Sequence, residues 1–120
     1  MFQEVEIIGV HSDAESETKA GILARDETGE EVVLSLRGIR IQDETGFTEY
    51  VSRHLKGREV QFEAVEEENV PNRSVVCLNG FVFSSGLNIN VELIKSKIAV
   101  VKMKEAMEYA DYFEDVIKED

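Results

Sequence analysis

The sequence has one cysteine, one proline and no tryptophan among its 120 residues. A lone cysteine excludes an internal disulfide bond, and because Cys77 lies in the apolar run Val75–Leu78 we expect a buried, unreactive thiol. No stretch approaches the roughly 18 consecutive apolar residues that a transmembrane helix requires. The opening residues Met1–Glu4 also lack the basic and apolar regions of a signal peptide. The sequence therefore predicts a cytoplasmic protein with no membrane partner.

Positive charge is scarce, because 13 Lys and Arg face 25 Asp and Glu and leave a net charge of −12. Such a charge repels a phosphate backbone at long range and disfavours nonspecific nucleic-acid binding. The distribution is uneven: residues 1–34 contain two basic and nine acidic residues, whereas residues 35–60 contain five basic and four acidic residues. We interpret most of the acidic residues as solvated surface that keeps the protein in solution.

Apolar alternation and Gly-containing turns predict five strands, with one helix between the third and the fourth. The strands are expected at Phe2–Val10, Ala20–Arg25, Glu31–Leu36, Glu59–Val65 and Val75–Phe83. The helix is expected at Thr45–Lys56, where apolar residues recur at helical spacing and Gly57 follows as a terminator. A bulge or sharp bend is expected at Asn79–Gly80, because a glycine inside a strand seldom serves packing.

A short helix capped by Asn88 or Asn90 is expected to run through Ile94, and a longer helix is expected to start near Val100. One apolar face of the longer helix would contain Met103, Ala106, Met107, Ala110, Phe113 and Ile117. We expect that face to pack on the core, with a homodimer interface as the alternative. The order of elements predicts an α+β, mainly β fold: a five-stranded OB-fold barrel with a helix between strands 3 and 4 and C-terminal helices, forming one domain over residues 1–120.

Three segments carry specific motifs. Leu34–Arg40 has the sequence Leu-Ser-Leu-Arg-Gly-Ile-Arg, Phe47–Val60 ends in Leu-Lys-Gly-Arg-Glu-Val, and Gly86–Ile94 contains Gly-x-x-x-Asn-x-x-Leu-Ile. In this order they resemble the Arg-Leu-Arg-Gly-Ile-Asp strand, the first helix with its following strand, and the Gly-x-x-x-Asn-x-x-Leu-Val signature of the staphylococcal-nuclease-like family. The resemblance implies the thermonuclease type of OB fold. It also implies metal-assisted phosphodiester hydrolysis, in which carboxylates hold Ca²⁺, a Glu activates water and two arginines neutralise the charge on phosphorus.

Most of the residues that this chemistry needs are replaced. Matching the motif position by position puts Ser35 where the first arginine belongs, Arg40 where a metal-binding aspartate belongs and Cys77 where the second arginine belongs. Asp43 falls near the activating Glu, and Asp13 is the one carboxylate left of the family's Asp-Gly-Asp-Thr hairpin. Because Arg40 turns a cation ligand into a cation, the resemblance implies a pseudoenzyme that binds no metal.

An alternative alignment introduces a one-residue bulge and makes Arg37 the phosphate clamp, with Asp43 and Glu44 as metal ligand and base. The second arginine is still missing in that alignment. A separate resemblance covers Val5–Leu34, which is similar to the opening hairpin of the bifunctional-nuclease family. The Arg-Pro-Ser-Asp segment of that family is absent here.

Three functions remain open at this point. We favour a catalytically inactive OB-fold module that needs no cofactor and binds a protein partner. The second is a single-stranded nucleic-acid binder, which the net charge disfavours. Its candidate contacts are Arg37, Arg40, Arg53, Arg58, Phe81 and Phe83, for which surface ion pairing and core packing are the expected alternatives. The third is a residual Ca²⁺-dependent nuclease that uses Asp13, Asp43 and Glu44.

Overall fold

The computed structural model describes residues 2–12, 20–68 and 76–117. The strands within these residues are β1 (Phe2–Ser12), β2 (Ala20–Arg25), β3 (Glu31–Leu36), β4 (Ile39–Ile41), β5 (Glu59–Glu68), β6 (Val76–Ser84), β7 (Leu87–Asn88) and β8 (Ala99–Val101). The helices are α1 (Glu44–Tyr50), which continues as a π-helical segment (Val51–Leu55), α2 (Ile89–Lys95), α3 (Met103–Glu108) and α4 (Glu114–Ile117).

Five of these strands close into a barrel. An antiparallel meander joins β1, β2 and β3, while β5 pairs with β1 and β6 pairs with β5, both antiparallel. The barrel closes where β6 runs parallel to β3, from the pair Val32 and Val76 to the pair Leu36 and Gly80. The α1 helix lies between the third and fourth barrel strands in sequence. The predicted α+β, mainly β fold with an OB-like five-stranded barrel is confirmed.

The hairpin between β2 and β3 has the predicted strand bounds, and its turn explains them. The Asp26 carboxylate accepts hydrogen bonds from the backbone N–H of Thr28 at 2.9 Å and of Glu30 at 3.0 Å, and Gly29 adopts a φ of +87°. The pKa of Asp26 is lowered, chiefly by the hydrogen bond from the Thr28 hydroxyl. Asp at the first turn position and Gly in the left-handed region are the residues that such a turn favours.

Two irregularities bend the barrel strands. The register of β1 against β2 shifts between Ile7 and Gly9, just beyond Glu6, where the pairing of β1 with β5 ends. The second shift lies in β5 between Ala64 and Glu66, opposite Asn79 and Gly80 of β6. The bulge predicted at Asn79–Gly80 therefore lies on the partner strand. Gly80 is required by close approach, because a Cβ there would overlap the carbonyl oxygen of Glu63 on β5.

The predicted helix after β4 contributes the expected apolar residues to the core. Phe47, Val51 and Leu55 are fully buried, and Tyr50 packs against the core from a partly exposed position. The helix begins one residue earlier than predicted, because the Asp43 side chain caps it, and its second half is π-helical, with the Lys56 N–H bonded to the carbonyl of Val51 at 2.8 Å. Residues from every barrel strand complete this core.

The predicted long C-terminal helix is wrong. Ala99–Val101 instead forms β8, which pairs antiparallel with β4 in a separate two-stranded sheet. The α3 helix then ends at Tyr109, whose backbone is not helical, and α4 starts only at Glu114. Because the helix is interrupted, its apolar residues do not form one face: Ala106 and Phe113 are fully buried, whereas Met103 and Met107 are 44% and 59% exposed. The predicted homodimer through this region stays a prediction.

The turn after β3 holds the C-terminal segment closely. Gly38 has a φ of +82°, and a Cβ on it would overlap the ring of the buried Phe113. Its N–H donates to the Glu105 carboxylate at 3.0 Å, and its carbonyl accepts from the Lys102 N–H at 2.7 Å. This glycine is therefore required both by backbone conformation and by packing.

We expect Gly38→Ala to destabilise the protein more than the matched substitution Gly29→Ala. Gly29 has a similar φ of +87° but no atom within 4 Å of a built Cβ, so its replacement costs only the left-handed strain of about 1–2 kcal/mol. Displacing Phe113 adds about 1–3 kcal/mol for Gly38→Ala. Urea unfolding of both variants measures the difference. Equal losses of stability would contradict the packing of Phe113 on Gly38.

Candidate functional site

The outer face of β6 is covered by the C-terminal segment. Val82 faces the core opposite Phe62, so the alternating Phe81 and Phe83 lie on the outer face. The ring of Phe81 contacts three rings of residues 109–113, with centroid distances of 5.2 Å to Tyr109, 4.6 Å to Tyr112 and 5.8 Å to Phe113. Phe81 is 0% exposed, which leaves no room for a base to stack on it, whereas Phe83 is partly exposed.

Arg37 lies at the end of β3, and the C-terminal segment encloses its side chain. Its guanidinium approaches Glu108 at 3.2 Å and Glu105 at 3.8 Å, and lies 5.9 Å from the centre of the Tyr109 ring. A further N–H donates to the Asn79 side-chain oxygen at 3.4 Å. Two carboxylates of the same chain thus neutralise the arginine that the bulged alignment makes a phosphate clamp. A phosphate would have to displace them to bind there.

Two of the positions where the resemblance leads us to expect arginines hold small, uncharged side chains. Ser35 is 8% exposed and lies opposite Asn79 in the parallel β3–β6 pair. The Asn79 amide donates to the Ser35 hydroxyl at 3.2 Å, which satisfies both buried groups. Cys77 is buried opposite Val33, as predicted for an inert thiol. Neither position offers a positive charge to a phosphate. Asn79 was missed as a partner of Ser35, because only the strand register shows that the two are opposite.

Asn90 is fully buried, and its amide connects three backbone groups. The side-chain oxygen accepts from the Val82 N–H at 3.2 Å, and the side-chain nitrogen donates to the carbonyls of Arg37 at 2.9 Å and Gly80 at 3.1 Å. Of the two residues predicted as possible caps of α2, Asn88 and Asn90, it is Asn88 that caps the helix. Its side-chain oxygen accepts from the Val91 N–H at 3.4 Å. The Asn of the Gly-x-x-x-Asn signature therefore has a structural role in this chain.

The candidate metal ligands are not brought together. Asp43 is exposed and caps α1 by accepting the Gly46 N–H at 2.9 Å, and Glu44 is exposed in the first turn of that helix. No group of three or more His, Cys, Asp or Glu residues suited to a metal ion occurs in the described part of the chain. Asp13 lies outside the described residues.

The other candidate nucleic-acid contacts lie on different elements. Arg40 is exposed in the middle of β4, opposite Val100 of β8. Arg53 is exposed on the π-helical segment, and Arg58 is exposed in the turn that leads into β5. Arg37, the fourth member of the set, is held by Glu105 and Glu108. The four arginines therefore come from different elements, and one of them is already ion-paired within the chain.

A groove of about 520 Å³ crosses the outer face of β1, β5 and β6 next to the covered region. The rings of Phe2 and Phe83, whose centroids are 5.7 Å apart, line it together with Glu4, Glu59 and Gln61. Phe2 is 56% exposed, the side chains of Glu4 and Glu59 are exposed, and the turn at residues 84–86 completes the lining. Sequence reasoning missed this groove because its residues come from three strands that the barrel brings side by side.

Tyr112 links the covered region to the barrel beside this groove. Its hydroxyl donates to the Glu63 carboxylate on β5 at 2.6 Å, and its ring packs edge-on against Phe83 at 6.0 Å. The hydrogen bond to Glu63 is the main cause that raises the pKa of Tyr112 to about 12, because ionisation would remove the donor and place two negative charges together. Tyr112 thus connects the C-terminal segment to β5 through this hydrogen bond.

We expect Asn90→Ala to cost about 3 kcal/mol or more of unfolding free energy, because it leaves the buried Val82 N–H and two carbonyls without their side-chain partner. Asn88→Ala is the matched control and should cost about 1 kcal/mol, the usual contribution of a helix cap. Urea unfolding at neutral pH gives both values. If the two variants lose equal stability, Asn90 does not have the central role assigned to it.

The pKa of Tyr112 predicts a loss of stability in alkali. The folded-state pKa is about 12 and the ordinary value is 10.0, so the unfolded chain releases the proton first. The contribution of Tyr112 is therefore complete below pH 10 and is lost as the pH rises towards 12. Urea unfolding between pH 9 and 11.5 should show a smaller decrease for Tyr112→Phe and for Glu63→Gln than for the wild type.

Tyr50 accounts for part of the decrease that remains in those variants, because burial first and the charge of Glu92 second raise its pKa. A Tyr112→Phe variant that keeps the full wild-type decrease would show that the Tyr112–Glu63 bond does not control alkaline stability.

Neither a model of a known protein family nor any curated protein matches the sequence. None of the helices in the described part of the chain has the length and apolar character of a membrane span. The OB-like barrel is thus assigned on its strand order and on the parallel closure of β3 with β6.

Proposed function

We propose that this chain is a catalytically inactive OB-fold module of the staphylococcal-nuclease-like type, and that it binds a protein partner. The observation that carries the proposal is the ion pairing of Arg37 with Glu105 and Glu108. Arg37 is the arginine that the bulged alignment makes a phosphate clamp, and this chain uses it for ion pairing within its own fold. A location in the cytoplasm stays a prediction from the sequence.

The motif segments support the nuclease-like assignment by their place in the barrel. Leu34–Arg40 spans the end of β3, the turn at Gly38 and the start of β4, and Gly86–Ile94 spans β7 and most of α2. Asn90 of the second segment bonds to the carbonyl of Arg37 in the first at 2.9 Å. The residues that resemble the family are therefore in contact where the barrel closes.

Loss of the catalytic chemistry is supported by each replaced position. Ser35 and Cys77 are buried and uncharged where the family has arginines, and the exposed Arg40 stands where it has a metal-binding aspartate. Phosphoryl transfer of this type needs a bound cation and positive groups that stabilise the charge on phosphorus. Asp43 and Glu44 are carboxylates and cannot provide the positive charge of the two missing arginines.

A protein partner fits the surface better than a nucleic acid does. The net charge of −12 repels phosphates, and Phe81 is fully buried beneath the C-terminal segment. Large apolar side chains are exposed instead, among them Phe2 at 56% and Leu87 at 49%. Exposed apolar side chains beside polar groups are typical of protein interaction sites.

The proposal predicts no saturable heat when Ca²⁺ or Mg²⁺ is titrated into the purified protein by calorimetry, and no cleavage of single-stranded DNA or RNA in the same samples. An active staphylococcal nuclease, assayed in parallel, should cleave the same substrates and is the positive control. Metal binding with cleavage that Asp43→Asn or Glu44→Gln abolishes would establish a residual nuclease instead. Salt-sensitive oligonucleotide binding that Arg53→Gln and Arg58→Gln weaken would establish a nucleic-acid binder.

The positive half of the proposal is tested by affinity capture from a nuclease-treated native lysate. We expect a specific protein to be retained after the nucleic acid has been removed, at a constant ratio to the immobilised chain. Recovery of chaperones alone would contradict the partner-binding function.

A further inference from the structure

The groove on the outer face of β1, β5 and β6 combines an aromatic wall with carboxylates. Phe2 and Phe83 form one wall, with ring centroids 5.7 Å apart and an interplanar angle of 51°. The strand register places Gln61 directly between Glu4 and Phe83. Because alternate residues of a strand share a face, Phe2 and Glu4 point to the same outer side. The floor at Gln61 is thus bordered by the Phe83 ring on β6 and by the Glu4 carboxylate on β1, with the Phe2 ring next to Glu4 on the same strand.

Negative charge is concentrated beside this floor. Glu6 of β1 lies directly opposite Glu59 of β5, and like charges opposite each other destabilise an antiparallel pair. Glu6 has Arg25 as an ion-pair partner at 3.5 Å, with both side chains about half exposed. Among the described residues no Lys or Arg lies within ion-pair distance of Glu4 or Glu59. A cation from outside the chain would relieve this repulsion.

The aromatic wall is open to solvent. Phe2 is 56% exposed, although phenylalanine is usually buried, and Leu87 beyond the turn at residues 84–86 is 49% exposed. Covering these side chains would remove apolar surface from water, which favours binding. The groove therefore offers apolar contact and negative charge side by side.

We propose that this groove binds a segment of a protein partner that carries an arginine side chain next to an apolar one. The planar guanidinium stacks on the aromatic wall of Phe2 and Phe83 and donates hydrogen bonds to Glu4 and Glu59. The neighbouring apolar side chain packs on Phe2. This inference rests on the proposed function and names the chemical class of the partner.

The test uses the full chain and a labelled peptide with the sequence Leu-Arg-Leu-Arg-Leu, whose binding is followed by fluorescence anisotropy. Peptides with citrulline or Glu in place of Arg are the ligand controls, because citrulline keeps the shape of arginine without its charge. We expect the arginine peptide to bind, the citrulline peptide to bind at least about tenfold more weakly, or by about 1.4 kcal/mol, and the Glu peptide not to bind. Higher salt should weaken binding of the arginine peptide.

Two variants of the groove test its location. The double variant Glu4→Gln with Glu59→Gln should lower the affinity for the arginine peptide by about tenfold, and so should the single variant Phe2→Ala. Glu30→Gln combined with Glu31→Gln removes the same charge from exposed positions at the β2–β3 turn, and Met107→Ala removes another exposed apolar side chain. These controls should change the affinity by less than about twofold. Amide NMR shifts on binding should concentrate at Gln61 and at residues 83–86.

Three results would overturn the inference. The first is no binding of the arginine peptide at low salt, and the second is an equal loss of peptide affinity in the groove and control charge variants. The third is self-association of the chain that the groove variants abolish, because a second copy would then be the occupant. The proposed function is tested separately. Specific capture that the groove variants leave unchanged would reject this groove and keep a protein-binding module, whereas metal-dependent cleavage would reject the inactive module and leave peptide binding to be judged on its own result.

Discussion

The side-chain amide of Asn90 joins three backbone groups at the point where the barrel closes, and the rest of the structure depends on that junction. The bonds to Val82 and Gly80 fix α2 on β6, and the bond to the Arg37 carbonyl ties both to the end of β3. Parallel pairing of β3 with β6 brings together segments more than 40 residues apart, so a large loss of chain entropy opposes it. A buried amide with every hydrogen bond satisfied offsets part of that loss and specifies one register.

Closure at this point also decides what Arg37 does. Its backbone N–H bonds to the Gly80 carbonyl at 2.8 Å, which directs its side chain toward α3. There Glu105, Glu108 and the Tyr109 ring surround the guanidinium. The Arg37 side chain is only 19% exposed, and its ion pairs with Glu105 and Glu108 stabilise the docking of α3. The same ion pairs compete with any phosphate. The ion pairing of Arg37 and the attachment of the C-terminal segment are thus two consequences of one arrangement.

Local patterns in the sequence predict the elements whose determinants are local. The bounds of β2 and β3 follow from alternation and from the Asp26 turn, and α1 follows from its apolar spacing. Strands of three residues such as β4 and β8 have no measurable periodicity, so their pairing was missed. The ion pair of Arg37 with Glu108 spans 71 residues, and the groove unites three strands. Features of this kind depend on barrel closure, which no local pattern contains.

The distribution of charge completes the relation between fold and surface. Several cations are used internally: Arg37 pairs with Glu105 and Glu108, Lys102 approaches Glu105 at 3.7 Å, and Arg25 pairs with Glu6. Each such pair uses one basic and one acidic group, so the 13 basic residues cannot neutralise all 25 acidic residues. On the outer face of β1 and β5, Glu4 and Glu59 have no Lys or Arg of the described residues within ion-pair distance, and the exposed Phe2 lies on the same face. A surface of that chemistry repels phosphates and attracts positively charged, partly apolar segments. The charge balance that disfavours phosphate binding is therefore physically compatible with the protein-binding surface that we propose.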